Sequence, residues 1–417
     1  MSRPDGIPAY IAVTAAYWAF MLTDGALRML VLLHFHTLGY SPIQLAYLFL
    51  VYEFMGIVTN LSAGWLAARF GMTSTLYAGL ALQIIALLAL TQLRADWSAA
   101  ASVVFVMLVQ GLSGVAKELA KMSSKSAVKI LAADTETILF KWVSLLTGSK
   151  NAVKGLGFLL GAGSLGFVGF NASLIGMAVI LAIVLGAIVY FMPPGLPAGV
   201  KATKFRMVLS GNRSINRLSL AQLFLFGARD TWFVVGIPIF FYGVLSDGTP
   251  ESARRAFFLI GIFMALWVIG YGIVQANAPR ILGPAIASPQ RMQQAKFWVG
   301  ILALIPMTLA VITAIASTLT VLAVVVGLLL FGVVFALNSA LHSFLILSFT
   351  SAGRVTMDVG FYYMANAAGR LLGTLLSGLS FQFGGISVCL ATAALMAFLS
   401  WLVSGKLAQE LVNSDTR

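Results

Sequence analysis

Twelve blocks of apolar residues, each about twenty residues or longer, constrain this chain more than any motif in it. A helix needs about twenty such residues to cross a hydrocarbon core of about 30 Å, and a helix satisfies its own backbone hydrogen bonds there. The blocks fall at about 9–33, 42–69, 74–93, 98–125, 136–167, 172–192, 217–243, 254–279, 294–314, 318–348, 356–381 and 386–405. They predict an all-α polytopic membrane protein. Of the 417 residues, 60% are hydrophobic and 9% charged, against roughly a quarter charged in soluble domains, so a soluble core is excluded. The N-terminus "MSRPDGIPAY" lacks the layout of a signal peptide, and the first block is therefore read as a span in its own right.

The longest polar interruption runs from Met192 to Arg217 and divides the spans into two sets of six. The expected organisation is a first bundle over 1–192, a cytoplasmic linker over 193–216 and a second bundle over 217–417. Lys and Arg in short loops set orientation. With the N-terminus inside, inner loops hold Arg69, Lys201, Lys204, Arg206, Arg213, Arg217, Arg280, Arg291, Lys296 and Arg354. Outer loops hold little beyond Arg94, Arg254 and Arg255, so both termini are expected in the cytoplasm. The net charge of +13 points to anionic lipid or an anionic cargo. Basic residues do not cluster in one soluble segment, which argues against nucleic acid. One cysteine, Cys389, offers neither a disulfide nor a thiolate cluster. No metal site, cofactor or catalytic constellation is expected: "HExxH" and a nucleophile elbow are both missing from the sequence.

The two halves echo each other. Asp24 precedes Phe35 by eleven residues in the first span, and Asp230 precedes Phe241 by the same offset in the seventh. Lys154, Gly157 and Gly161 of the fifth span are spaced like Arg370, Gly373 and Ser377 of the eleventh. Repeated halves joined by a central loop suit a two-bundle transporter. The loop "GWLAARFG", Gly64 to Gly71, resembles the motif of the major facilitator superfamily, with Ala68 where that family carries aspartate. In the second half only Arg280 and a glycine remain of it. The resemblance implies the superfamily's fold: twelve transmembrane helices in two pseudo-symmetric six-helix bundles.

Ionisable groups at mid-bilayer cost on the order of 2.5–3.5 kcal/mol unless paired or hydrated, so they mark function. Asp24 and Arg28 share one face of the first span. Arg229 and Asp230 are adjacent, which predicts that they point apart and do not pair squarely. Lys150 and Lys154 share a face of the fifth span with no acid within reach along their own helix, an arrangement that calls for water or an anion. Tyr362, Asn366 and Arg370 form a stripe in the eleventh span, continued one turn earlier by Asp358. Lys117, Lys121, Lys125 and Lys129 recur every fourth residue, drifting about 40° per step. Lys125 and Lys129, at the inner end of the helix, suit lipid phosphates, and Lys117, with Glu118 expected to project elsewhere, suits a basic vestibule. His34 and His36 read as interfacial, while Asn338 and His342 lie deeper, His342 as a possible proton carrier.

These groups make the expected substrate a small polyanion: Arg grips phosphate-like oxygens bidentately and Lys supplies point charge. The expected anion contacts are Arg28, Lys117, Lys121, Lys150, Lys154, Arg229 and Arg370, with Tyr362 and Asn366 as hydrogen bonders. Asp24, Glu118, Asp230, Asp358 and His342 are the expected coupling or gating groups. The stretches Tyr17 to Gly71 and Gly360 to Gly378 resemble the organoarsenical efflux permeases of ArsJ type. That resemblance implies secondary active efflux of 1-arseno-3-phosphoglycerate across a bacterial inner membrane, conferring arsenate resistance. It also implies a functional partner, glyceraldehyde-3-phosphate dehydrogenase, which supplies the ester. An organophosphate or sugar-phosphate exchanger without an arsenic role is the alternative. Trivalent arsenic favours soft thiolates, and Cys389 alone does not provide such a site.

Overall fold

The computed structural model describes residues 7–131, 136–192, 210–283, 288–315, 319–350 and 355–415. Among them every regular element is a helix: α1 (Ile7–Thr37), α2 (Pro42–Phe70), α3 (Met72–Leu90), α4 (Ala99–Leu131), α5 (Glu136–Phe167), α6 (Phe170–Phe191), α7 (Arg213–Phe233), α8 (Gly236–Leu245), α9 (Pro250–Ile281), α10 (Ser288–Ile315), α11 (Thr320–Phe349) and α12 (Val355–Asp415). Ten stretches among the described residues are long and apolar enough to cross a bilayer. α7 and α8 count as one of these, Arg213–Leu245, and most of the 61-residue α12 counts as another. α12 bends at Gly384 and Gly385, the latter at φ 61°, a conformation that favours glycine. That bend divides it at the boundary the apolar blocks predict. Each expected block except the seventh lies on one of these helices, with ends displaced by a few residues at most sites.

The seventh block departs from expectation by being two helices. Pro238 has no N–H and its ring crowds the carbonyl four residues back, so the helix opens at Val234 and Val235. The backbone N–H groups of Val235 and Gly236 donate instead to Ser377 Oγ, at 3.2 and 3.1 Å. A broken helix inside a membrane survives only where neighbouring side chains take up the freed groups, as Ser377 does here. Asn212 caps α7, accepting from Ser214 N–H at 2.9 Å and Ile215 N–H at 3.3 Å.

The chain forms two compact units. One comprises Met1–Leu38, Val58–Arg206 and Leu245–Gly272; the other comprises Gly39–Ile57, Met207–Val244 and Ile273–Arg417. Both α2 and α9 therefore contribute to each unit. In the first, α1 packs on α5, and α3 packs on α4 and α6. Glycine makes this approach close: a Cβ on Gly157 would overlap the Leu22 carbonyl and lie 3.2 Å from Gly25 Cα. Without water to drive apolar association between spans, such close backbone contact is what binds them. In the second unit, α12 packs on α7 and α10. Gly373 has the corresponding task, since a Cβ there would lie 2.7 Å from the Gly227 carbonyl oxygen and 2.9 Å from Asp230 Cβ. A core of Ile215, Leu218, Met292, Leu341, Leu345 and Leu407 closes one end of this unit.

Between α8 and α9 the loop is held by Asp247, which accepts from Thr249 N–H at 2.9 Å, Thr249 Oγ1–H at 2.7 Å and Ser252 Oγ–H. These bonds, that from Ser252 first, depress the Asp247 carboxyl to about 2 from an ordinary value of 3.8. A depressed carboxyl stabilises the fold above its unfolded value, and the contribution is lost as pH falls through the folded value. The thermal midpoints of wild type and Asp247→Asn are thus expected to differ slightly at neutral pH and to converge as pH falls from about 4 to about 2.

Candidate functional site

In the first unit, the charges of α1, α4 and α5 form two groups. Lys154 of α5 donates to Asp24 Oδ2 of α1 at 2.9 Å, with its ammonium 5.8 Å from the centre of the Phe158 ring. Asp24 is 3% exposed, and Arg28 is buried one turn further along α1. Lys150 is half-buried one turn before Lys154, beside the buried Asn151. The acid that α5 itself carries, Glu136, stands eighteen residues before Lys154, and the carboxylate that Lys154 meets comes from the facing helix. The tight Gly157–Gly25 approach brings the two together.

The second group centres on Glu118 of α4, which is 1% exposed. Lys117 Nζ stands 3.3 Å from Glu118 Oε1, and Lys121 pairs with Oε2 while donating to Asn60 Oδ1 of α2 at 2.9 Å. The expectation that Glu118 projects away from Lys117 is corrected. Adjacent Cβ atoms do diverge, but a four-carbon lysine stem bends back where an unpaired charge would be costly. The side chains of Lys125, Lys129, Ala68 and Arg69 lie outside the described residues, as do residues 193–209 of the linker.

In the second unit a four-membered cluster joins α2, α7 and α12. Arg229 donates from Nε to Asp230 Oδ1 at 2.6 Å, and its Nη2 stands 2.6 Å from the same oxygen. Adjacent residues thus pair after all, because the long guanidinium side chain curls round to its neighbour. The Arg229 guanidinium carbon also lies 4.8 Å from the Phe226 ring centre, 5.4 Å from that of Phe335 and 6.0 Å from that of Phe233. Arg370 Nη2 is 2.6 Å from both oxygens of Glu53, and its Nε is 3.6 Å from Asp230 Oδ2.

The pairs Asp24–Lys154 and Asp230–Arg370 occupy corresponding places in the two repeats, each beside a glycine of the same spacing. Glu53 breaks the symmetry. Sequence reasoning missed it, although the same criterion that selected Asp24 applies: a lone acid eleven residues into a span, in "FLVYEFMGIV". Sixteen residues before Arg69 stands Glu53; sixteen before Arg280 stands Met264.

The expected stripe on α12 is dispersed. Arg370 joins the ion cluster, and Asn366 is half-buried one turn before it. Tyr362 packs into the apolar core with Ile215 and Leu345. Asp358 accepts from Thr350 Oγ1–H at 2.8 Å near the start of the helix. His342 is fully buried, with Nδ1 2.8 Å from Gln222 Oε1. Asn338, one turn before it, donates to the Ala295 carbonyl at 2.9 Å. His34 stacks on Phe170 with ring centres 4.0 Å apart. Cys389 is buried, its Sγ donating to the Thr231 carbonyl at 2.8 Å. Among the described residues no group of three His, Cys, Asp or Glu side chains could hold a metal ion.

No protein-family profile matches the sequence, and no curated protein matches it. Solved structures do match. A bacterial homologue of the iron transporter ferroportin in an inward-facing state superposes with a TM-score of 0.68 at 15% identity, over 96% of this chain and 98% of the other. The nucleoside transporter NupG gives 0.69 at 15% identity, over 96% and 98%. A POT family transporter with a thioalcohol-conjugated peptide gives 0.71 at 14% identity, over 98% and 96%. The chain shares its fold with these transporters and is a multi-pass, all-helical membrane protein. At these identities the likeness describes the fold alone.

Proposed function

We propose that this chain is an alternating-access transporter that exports an organic polyanion, and that its passenger is 1-arseno-3-phosphoglycerate. One observation carries the choice of an anion. Within the first unit, the described charged groups deep in the spans are Arg28, Lys117, Lys121, Lys150 and Lys154 against Asp24 and Glu118. These cations outnumber the carboxylates five to two, and an excess of cations deep in the spans favours a heavily negative guest. The second unit is different: Arg229 and Arg370 are balanced by Glu53 and Asp230. The anion-binding role therefore falls first on Arg28, Lys150 and Lys154.

Alternating access is supported by the fold, since the ferroportin homologue that superposes here is known in inward-facing and outward-facing states. The membrane potential assists export, because each negative charge leaving a cell gains about 2.3 kcal/mol per 100 mV. The arsenical identity rests on the sequence resemblance, as do the bacterial inner membrane and the dehydrogenase partner. Cytoplasmic termini follow from the loop bias in Lys and Arg. Expression in an arsenate-sensitive strain is expected to confer resistance only when glyceraldehyde-3-phosphate dehydrogenase is co-expressed; unchanged sensitivity in its presence overturns the arsenical reading.

The geometry favours one second reading. Arsenate and phosphate are both tetrahedral oxyanions, and Lys154 and Arg28 meet either in the same way. Uptake of labelled 3-phosphoglycerate into proteoliposomes, without resistance in cells, would assign an organophosphate exchanger.

A further inference from the structure

The seam between α10 and α12 carries cations with no carboxylate to meet them among the described residues. Lys296 lies eight residues into α10, half-buried, and makes no hydrogen bond or ion pair among those residues. Its ammonium stands instead 5.5 Å from the centre of the Trp401 ring on α12. Two glycines shape this seat. A Cβ on Gly405 would lie 3.4 Å from Lys296 Cε and 3.7 Å from its Nζ, so the lysine stem runs across the bare face of α12. A Cβ on Gly300 would lie 3.2 Å from Trp401 Cδ1 and Nε1, so the indole edge rests against α10. The Trp401 ring is also stacked on Phe398, with ring centres 5.6 Å apart. Its N–H finds no acceptor among the described residues. Lys406, exposed and next to Gly405, likewise has no partner among them. α10 contains no acidic residue, and Glu410, one turn beyond Lys406, is taken by Arg213 and Arg217 of α7.

We propose that this seam is a binding site for one anionic phospholipid, whose phosphodiester is held by the Lys296 ammonium and the Trp401 N–H, with Lys406 adding a second positive charge. Lipid is the occupant for three reasons. Lysine supplies point charge to phosphate oxygens, and here that charge is unspent. Around the seat α10 exposes Phe297 and Leu304, and α12 exposes Leu395, Phe398 and Leu402, an apolar surface for acyl chains to cover. The seat also lies near helix ends: α10 begins eight residues before Lys296, and α12 ends ten residues after Gly405. Tryptophan and lysine meet lipid headgroups at that depth. The loop bias in Lys and Arg puts this end on the cytoplasmic side, where the leaflet surface is negative. A lysine that only snorkels extends freely toward water. Lys296 is instead turned across to a neighbouring helix and laid on an aromatic ring, which fixes its ammonium in one place. A zwitterionic lipid brings a cation of its own to that place, so the site selects for net negative charge. Such a site is independent of the passenger.

The full chain in vesicles of phosphatidylcholine and phosphatidylglycerol tests this, with bromine placed on the chains of one lipid or the other. Bromine quenches the tryptophans that its lipid touches, and the share of Trp401 is the difference between wild type and Trp401→Phe. Phosphatidylglycerol is expected to be preferred at Trp401 by about fivefold or more, the weight of one lysine near an anionic surface. Lys296→Gln is expected to bring that ratio to about one. Equal quenching by the two lipids in wild type, or an undiminished preference in Lys296→Gln, overturns the site. Relief of the phosphatidylglycerol quenching by inorganic phosphate, and not by sodium chloride of equal ionic strength, would assign a free phosphate and overturn the lipid. Should Trp401→Phe not fold, native mass spectrometry of wild type and Lys296→Gln decides. One retained phosphatidylglycerol fewer in the variant is expected, and equal counts overturn the proposal.

Discussion

Arg370→Ala is expected to lower folding stability by about 3–5 kcal/mol, the range seen when one partner of a buried ion pair is removed. The reason lies with the groups left behind. Glu53 and Asp230 are both fully buried, and without Arg370 the cluster keeps two carboxylates and one guanidinium, that of Arg229. The measurement is membrane abundance together with the thermal midpoint in detergent. Both are expected to fall in Arg370→Ala. Both are expected to recover most of the way in the double variant Glu53→Gln, Arg370→Gln, where two amides of similar volume can hydrogen-bond. Transport is expected to stay lost in the double variant, because position 370 no longer carries a guanidinium. Normal abundance and midpoint in the single variant would show that the ion pair is not needed for folding.

This result departs from what α12 suggests when read alone. Helical spacing shows that Arg370, Asn366 and Tyr362 share a face, but not what packs against it. The facing residues come from α2, α7, α10 and α11, so one stripe meets a carboxylate at Glu53 and an apolar core around Leu345. The spans themselves were legible because their physics is local: length, hydropathy and the absence of charge. The pairing of Asp24 with Lys154 was legible only in part. Equal offsets in the two halves marked both residues as repeated, while the contact between them depends on Gly25 and Gly157, whose packing across α1 and α5 no single-helix argument supplies. Arg229–Asp230 and Lys117–Glu118 were misjudged for one shared reason. The rule that neighbours diverge applies to Cβ directions, and arginine and lysine carry their charge several torsions further out. The break at Val234 was visible in "GIPIFF", since Pro238 forbids an unbroken helix, but its repair by Ser377 is a tertiary event.

The two units also divide the labour of charge. Where positive and negative groups balance, as around Arg370, removing a cation leaves a buried carboxylate exposed to low dielectric and the fold suffers. Where cations are in excess, as around Lys154, a neighbouring cation remains to take over the orphaned acid. The same substitution, neutralising one positive side chain, therefore separates into a structural effect in one unit and a functional effect in the other.

Lys154→Gln is the functional case. Asp24 loses its 2.9 Å partner, but Arg28 lies one turn away on the same face of α1 and Lys150 lies one turn from position 154. Membrane abundance is therefore expected to stay near that of wild type. Transport is expected to fall about tenfold to a hundredfold, the equivalent of one charge-assisted hydrogen bond of about 1.5–3 kcal/mol to the anion. Lys154→Arg keeps the charge but replaces a compact ammonium by a planar fork beside Phe158, and is expected to recover part of the activity. Asp24→Asn carries the sign in the other direction. It frees Lys154 from its carboxylate and raises the local positive charge, so the anion is expected to bind more tightly while release slows. Labelled 3-phosphoglycerate flux in proteoliposomes, with binding measured in parallel, reads all three variants. Full flux in Lys154→Gln would place the anion away from Lys154, and the excess of cations in this unit would then have to act on lipid phosphate instead.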